Sequence, residues 1–312
     1  MQSQRPCPRL LVTGATGFVG GRLAQLGARL HGAWADEWLW ATRAPQAARG
    51  VQVPGRWVQL DLEQPEGLTA ALEAWRPTHV LHLAGVALPR AAEDHPERAE
   101  RVNTHGTLAL ARAAAQIGAR LLFASTAQVY GRRAGVLDES LEPDPFNAYG
   151  RSKWAAEQGL GALAKQGLDA VIARPFNHSG PGQKADYVLP AFAGEIRRAL
   201  ESGEPARTGN LAPRRDFLHV DDVLEGYRCL LQQAPTGWTA NICSGRGTPI
   251  STLFDGLAMR LGLPQEQRIT DPLRVRSDDP PEIVGDPSRL RSLGWAPQRS
   301  LDELLDDVLA GR

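Results

Sequence analysis

Hydrophobic and polar residues fall into alternating blocks along the first half of the chain. RLLVTG at 9–14 is a short apolar run closed by glycine, the pattern of a buried strand. Over 18–30 the period changes, with Val19, Leu23, Leu26 and Leu30 at helical spacing. WLWATR (38–43) and RWVQLDL (56–62) read as strands, and EGLTAALEAW (66–75) as a helix followed by Pro77. HVLHLAG (79–85) reads as a strand, the Ala- and Leu-rich 97–117 as one long helix, and RLLFAST (120–126) as a strand. A helix over 149–166 and a strand over DAVIARP (169–175) close the series. Strand and helix in turn predict an α/β fold, a Rossmann-type doubly wound parallel sheet with helices on both faces.

After Pro175 the pattern loosens. HSGPGQ, SGEPA, APRR and DDPPE punctuate it with glycine and proline. This part is expected to be a smaller substrate-binding region, with TANICSG (239–245) returning to the main sheet. The expected division is 1–173 for a dinucleotide-binding domain, a returning segment over about 214–245, and 174–312 mainly for substrate. No internal repeat or low-complexity tract interrupts it.

Composition narrows the function classes. The 312 residues carry 35 Lys plus Arg against 35 Asp plus Glu, so bulk charge draws the chain to neither nucleic acid nor membrane. An anionic ligand must then be held by a few placed cations. Three scattered cysteines, Cys7, Cys229 and Cys243, make neither a disulfide framework nor a zinc site and suit a reducing, cytoplasmic setting. No segment reaches the roughly 20 apolar residues of a membrane span, and the polar N-terminus lacks a signal core. No metal is expected.

VTGATGFVGG places Gly14, Gly17 and Gly20 between the first strand and the first helix. The first glycine permits a tight turn, the second a close approach to a pyrophosphate, and the third close packing of helix on strand. The helix N-terminus adds unpaired N–H groups and partial positive charge. A lone glycine-rich turn would mean little; its strand–turn–helix setting points to dinucleotide binding. An NAD site usually carries Asp or Glu at the tip of the second strand. Here Thr42 and Arg43 stand there instead, and a guanidinium suits a 2′-phosphate, so NADPH is expected over NADH, which remains usable. Asp61 is placed to meet the adenine.

Tyr149 precedes Lys153 by one helical turn, which puts both on one face. Such a pair is common on ordinary helices; it gains meaning beside Thr126, which ends the fifth strand at the same edge of the sheet. A phenol titrates near 10, too high for efficient proton exchange at neutral pH. An ammonium within about 4–5 Å should lower it by two to three units at an effective dielectric near 20. Tyr149 is then the expected acid–base and Lys153 its tuner, with Thr126 hydrogen-bonding the same substrate oxygen.

TGATGFVGG, HLAG, ASTAQVYG and YGRSK resemble the extended short-chain dehydrogenase/reductases acting on nucleotide sugars, nearly end to end. The resemblance implies a catalytic set of Thr126, Tyr149, Lys153 and Asn103, the last supporting the lysine, often through water. It implies a cofactor site of Gly14, Thr16, Gly17, Phe18, Val19, Gly20, Arg43, Asp61, Leu62, Leu83, Ala84, Gly85, Tyr149, Lys153 and Pro175. Gly85 departs from the family's usual alanine, a change expected to be harmless. RPFNHSGPGQ, GNLAPRRDFLHVDDV, NICSGRGTPI and PLRVRSDDPPEIVGDPSRLRSLGW resemble the GDP-4-dehydro-6-deoxy-D-mannose reductases, which make GDP-D-rhamnose. That likeness implies a substrate site of Thr126, Gln128, Asn177, Val188, Arg215 and Arg276, the two arginines clamping the diphosphate. His178 has no clustered ligands and is read as structural.

The function expected from this resemblance is NADPH-dependent reduction of the C4 keto group of a GDP-4-dehydro-6-deoxy-sugar. A 4-epimerase or 4,6-dehydratase on the same fold is the alternative, and a non-catalytic dinucleotide sensor a third. Related dehydratases carry a Glu two residues after the active-site Thr; this chain has Gln128, and an amide cannot act as a carboxylate base. The family's dimer interface implies a homodimer through helices 97–117 and 149–166, whose outer faces are expected to be rich in Ala and Leu.

Overall fold

The computed structural model describes residues 7–44, 53–275 and 278–311. Its main sheet has seven strands in the order Thr239–Ile242, Ala170–Pro175, Arg120–Ala124, His79–His82, Cys7–Thr13, Ala35–Thr42, Arg56–Gln59. All neighbours run parallel. The chain first winds outward from Cys7–Thr13 to Arg56–Gln59, then crosses back to place His79–His82 on the other side of the first strand. The reversal opens a crevice at the carboxyl ends of these two strands, where ligands bind in such sheets.

Two apolar layers cover the sheet. One face packs helix Phe18–Leu30 and helix Val220–Gln233 through Leu23, Leu224, Tyr227 and Leu230. The other packs Leu68–Trp75, Thr107–Gln116 and Ala148–Ala164 through Leu72, Leu110 and Leu160. The expected return of 239–245 to the main sheet is observed, as its edge strand. Residues 214–219, by contrast, form the strand Arg214–His219 of a second, five-stranded sheet. That sheet also takes Gly135–Leu137 from the first half, paired with Glu282–Gly285, so the two halves interlock across residue 173. Asp216, buried within it, accepts from Ser244 N and Oγ, both at 2.8 Å, and from Gly245 N at 2.9 Å. One carboxylate thus ties RRDF to the NICSG turn.

One expectation fails here and another holds in part. The long helix 97–117 is broken into Pro96–Ala99, a π-helical stretch Glu100–Gly106, and the α-helix Thr107–Gln116. The wider π turn brings Val102, Asn103, Thr104 and Gly106 inward, as such turns often do at functional sites. The outer faces of the two candidate dimer helices meet the expectation of alanine and leucine only in part, with Ala115 and Ala162 exposed and Leu108 and Leu163 half-buried. Leu110 and Leu160 are fully buried, while Arg112, Ala115, Gln116, Arg151, Gln158, Gly161 and Ala162 are exposed.

Candidate active site

At the first turn, Gly14 adopts φ +68°, and a Cβ there would lie 2.7 Å from the backbone N of Ala84. A Cβ on Gly20 would lie 2.8 Å from Ala15 Cα. Side chains are excluded, and the backbone closes into a concave edge. Gly17 stands at the N-cap of helix Phe18–Leu30 with no side chain capping it, so that terminus keeps its N–H groups for a ligand. A bound pyrophosphate fits this cradle.

Thr126 follows the strand Arg120–Ala124 and caps a short 3-10 turn, its Oγ1 accepting from Gln128 N at 3.2 Å. Helix Ala148–Ala164 begins at Asn147, whose side chain accepts from Gly150 N at 2.7 Å and donates to Gln128 Oε1 at 2.8 Å. This capping sets Tyr149 on the first turn, one turn before Lys153. Both are buried. Burial pushes the Tyr149 phenol up; its hydrogen bond with Thr126 opposes that, and nearby Tyr187 adds to it. Burial likewise pulls the Lys153 ammonium down to about 7, with Glu157 one turn on holding it up. Lys153 Nζ donates to Ala124 O at 2.7 Å and stands 4.5 Å from the centre of the Phe123 ring.

The carbonyl of Ala124 and the Phe123 face hold the ammonium, and burial is the largest influence on the Tyr149 phenol. Asn103 lies beside Gly85, on the same side as Lys153 Nζ. Its Oδ1 accepts from Val86 N at 2.8 Å, and its Nδ2 donates to Val86 O at 3.1 Å and Ser152 Oγ at 3.0 Å. The amide thus clamps the loop after His79–His82 onto helix Ala148–Ala164. Gly85 is not an idle change, because a Cβ there would lie 2.7 Å from Asn103 Oδ1.

Behind the pair sits a buried ionic cluster. Ser125 Oγ donates to Glu157, and Arg174 binds the same carboxylate with Nη2 at 2.6 Å and Nε at 3.1 Å. Arg174 also lies over the Tyr130 ring at 4.9 Å. These contacts lock the strand end carrying Thr126 to the helix carrying Lys153. His82 bridges Thr13 Oγ1 at 2.7 Å and Thr107 Oγ1 at 2.9 Å, and burial keeps it neutral, down to about 3.

One cavity of about 1650 Å³ spans the crevice. Every site residue expected from the sequence lines it except Asn103, which lies behind its wall, and Arg276, which falls outside the described residues. The glycine cradle with Thr16, Phe18 and Val19 forms one arm, with Arg43, Asp61 and Leu62 at its end. Leu83, Ala84, Gly85 and Pro175 line the middle, beside Thr126, Gln128, Tyr149 and Lys153. Asn177, Val188 and Arg215 line the other arm. Asn177 Nδ2 donates to Asp216 O at 3.2 Å. Arg215 is already engaged, donating to Asp279 Oδ1 at 2.5 Å. His178 stacks on Phe18 with ring centres 6.1 Å apart and bonds the carbonyl of Phe176, in keeping with a structural role. Sequence reading missed Arg132, which lines this arm and pairs with Asp278, and Glu63 and Arg98 at the opposite end. Only the Asp pair in RSDDPP hinted at the first. Among the described residues no His, Cys, Asp and Glu cluster could hold a metal ion, and no helix is long and apolar enough to cross a membrane.

Similarity to known proteins agrees with this geometry. The chain is 34% identical to GDP-6-deoxy-D-mannose reductase of Pseudomonas aeruginosa, covering 97% of this chain and 96% of that protein. It is 30% identical to GDP-6-deoxy-D-talose 4-dehydrogenase of Aggregatibacter actinomycetemcomitans over 90% of both chains. UDP-glucose 4-epimerase of Mycolicibacterium smegmatis is 31% identical over 95% of each. Among solved structures, RMD from Pseudomonas aeruginosa complexed with NADPH superposes with a TM-score of 0.78 at 31% identity, covering 98% of this chain and 97% of that one. Residues 10–243 match one family from the first strand through the last strand of the main sheet, and the chain belongs to it: the NAD dependent epimerase/dehydratase family.

Proposed function

We propose that this protein is an NADPH-dependent reductase of the C4 keto group of a GDP-4-dehydro-6-deoxy-sugar, forming GDP-D-rhamnose. The observation that carries the reading is the single cavity with a phosphate cradle in one arm, a buried Thr126–Tyr149–Lys153 set in the middle, and Arg215 in the other. Likeness to the Pseudomonas reductase over nearly the whole chain supports the substrate.

Gly14, Gly17 and Gly20 would hold the cofactor pyrophosphate, and Lys153 would bind its ribose. When bound, the reduced nicotinamide supplies the hydride. Tyr149 donates its proton to the C4 oxygen as that oxygen becomes an alcohol. Thr126 hydrogen-bonds the same oxygen and orients it toward the phenol. Asn177 and Arg215, with Arg276, hold the sugar diphosphate, which explains how a chain of zero net charge binds a doubly charged substrate.

Incubation with GDP-4-keto-6-deoxymannose and NADPH, followed by NMR of the product, tests this. GDP-D-rhamnose is expected; no turnover would overturn the reading. The C4 epimer, GDP-6-deoxy-D-talose, is the second reading, favoured by the talose 4-dehydrogenase relative. Calorimetry with GDP, UDP, dTDP and CDP tests the base, and GDP binding no tighter than the pyrimidine diphosphates would refute the guanine assignment. A homodimer across helices Thr107–Gln116 and Ala148–Ala164 follows from the family resemblance, and the exposed Ala115, Gly161 and Ala162 permit close approach. Light scattering that returns a monomer mass at micromolar concentration would exclude it.

A further inference from the structure

We propose that Arg98 and Glu63 decide the choice between NADPH and NADH, with Glu63 as a masked NAD-type acid and Arg98 as its mask. This rests on reading the cavity as a dinucleotide site. Glu63, Arg98 and Arg43 all line the cavity at the far end of the cradle arm. Arg43 follows the strand Ala35–Thr42, Glu63 follows Arg56–Gln59, and Arg98 comes from the turn Pro96–Ala99. The three converge on one oxygen: Arg98 Nε donates to Glu63 Oε1 at 2.9 Å, and Arg43 Nη1 stands 3.8 Å from it. Asp61 Oδ1 accepts from Glu63 N at 3.0 Å and fixes the loop that carries the acid.

A carboxylate at this end of a dinucleotide site takes the ribose 2′-hydroxyl and repels a 2′-phosphate. The strand tip lacks that acid, but Glu63 restores one from the neighbouring loop. Arg43 and Arg98 stand against Glu63 and Asp61, so the subsite is neutral overall and a phosphate depends on the guanidinium left least engaged. The closer partner of Glu63 is Arg98, so Arg98 is the group that neutralises the acid. Arg43, held only at the longer distance and 63% exposed, keeps its fork free for phosphate. Arg43 is then the phosphate ligand, and Arg98 is a positioning residue that stops Glu63 from capturing Arg43 or repelling the phosphate.

Affinities of NADPH and NADH for the full-length protein, measured by fluorescence titration without sugar nucleotide, test this apart from turnover. Wild type should favour NADPH by about tenfold. Arg98→Ala should weaken NADPH about two- to fivefold and leave NADH unchanged or tighter, because such half-exposed pairs act modestly. Glu63→Gln should tighten NADPH about two- to threefold. The double variant Arg98→Ala/Glu63→Gln should return to the wild-type ratio, a coupling that loss of packing would not produce. Equal weakening of both cofactors by Arg98→Ala, or no rescue in the double variant, would overturn the inference while leaving the dinucleotide reading intact. If wild type binds neither cofactor, the dinucleotide reading falls and the inference with it.

Discussion

Gly85→Ala should be costly here, although alanine is the usual residue at this place in the resembling family. Gly85 lies outside the left-handed backbone region, so alanine meets no torsional penalty. The cost is steric. The new Cβ would sit 2.7 Å from Asn103 Oδ1 and 3.6 Å from Lys153 Nζ. Asn103 is fully buried, and three hydrogen bonds pin its amide, so it cannot simply swing away. Overpacking costs about 1–3 kcal/mol and a lost buried hydrogen bond about 1 kcal/mol more, so a net loss of about 2–4 kcal/mol is expected. For a chain of this size that lowers the apparent Tm by several degrees. NADPH affinity should fall as well, because the neighbouring Ala84 abuts Gly14 at the cradle. The assay is a thermal melt and a cofactor titration in a double-mutant cycle with Asn103→Ala. If the clash is the cause, Gly85→Ala becomes nearly neutral once the Asn103 side chain is gone. An unchanged melt in the wild-type background, or the same loss in both backgrounds, would refute the reasoning.

Three further outcomes follow from the site. Tyr149→Phe should cut turnover at least 10²-fold, the usual loss of a general acid, with NADPH affinity nearly unchanged; near-normal turnover would remove Tyr149 from its role. Burial lowers Lys153 to about 7, so its charge is present below that pH and lost above it; kcat/KM should fall as pH rises through about 7, and Lys153→Arg should abolish that limb. Because the unfolded lysine titrates near 10.4, the unfolded chain holds the extra proton between about 7 and 10.4, and this group's contribution to stability rises with pH across that window. Arg215→Ala should raise KM for the sugar nucleotide about 30- to 100-fold with little change in kcat, since it removes a charge-assisted contact and leaves Asp279 facing the diphosphate; an equal effect on NADPH affinity would place Arg215 elsewhere.

The parts of the fold legible in the sequence were those with strong local period. Every main-sheet strand fell within a few residues of its expected place, and the glycine cradle formed where the strand–turn–helix setting put it. What escaped depended on partners distant in sequence. GVL at 135–137 has no period to betray it and becomes a strand only because Glu282–Gly285 lies beside it. The π turn at Glu100–Gly106 is invisible in an Ala- and Leu-rich run, because it is set by what Asn103 must reach. Arg43 was legible from its position at a strand tip. Glu63 and Arg98 were not, since one follows a different strand and the other comes from a helical turn 35 residues further on. The tuning of Tyr149 was argued from helix spacing alone. Spacing places two side chains on one face but does not say which carbonyl or ring will claim the ammonium.

That last point bears on the direction of catalysis. A 4-epimerase or dehydratase begins by removing a proton from a C4 hydroxyl, so its phenol must be ready to accept one. In this structure burial raises the Tyr149 phenol, its hydrogen bond with Thr126 opposes that, and Lys153 is engaged by Ala124 O. A protonated phenol is the form a reductase needs, because its task is to give a proton to an oxygen gaining negative charge. The residue that would serve a dehydratase points the same way. Gln128 occupies the position two residues after Thr126, and its amide oxygen accepts from Asn147 Nδ2 at 2.8 Å, where a base would have to reach into the cavity. Gln128→Glu separates these ideas. A carboxylate there should break the bond pattern with Asn147 only slightly, since Asn147 still donates to an oxygen, yet it would put a base on the cavity wall. If the chemistry is set by Tyr149 protonation, the variant stays a reductase, slowed by the added negative charge near the C4 oxygen. Appearance of exchange at the sugar C5 position in deuterated water, read by NMR, would instead show that the amide alone had kept this site from dehydratase chemistry.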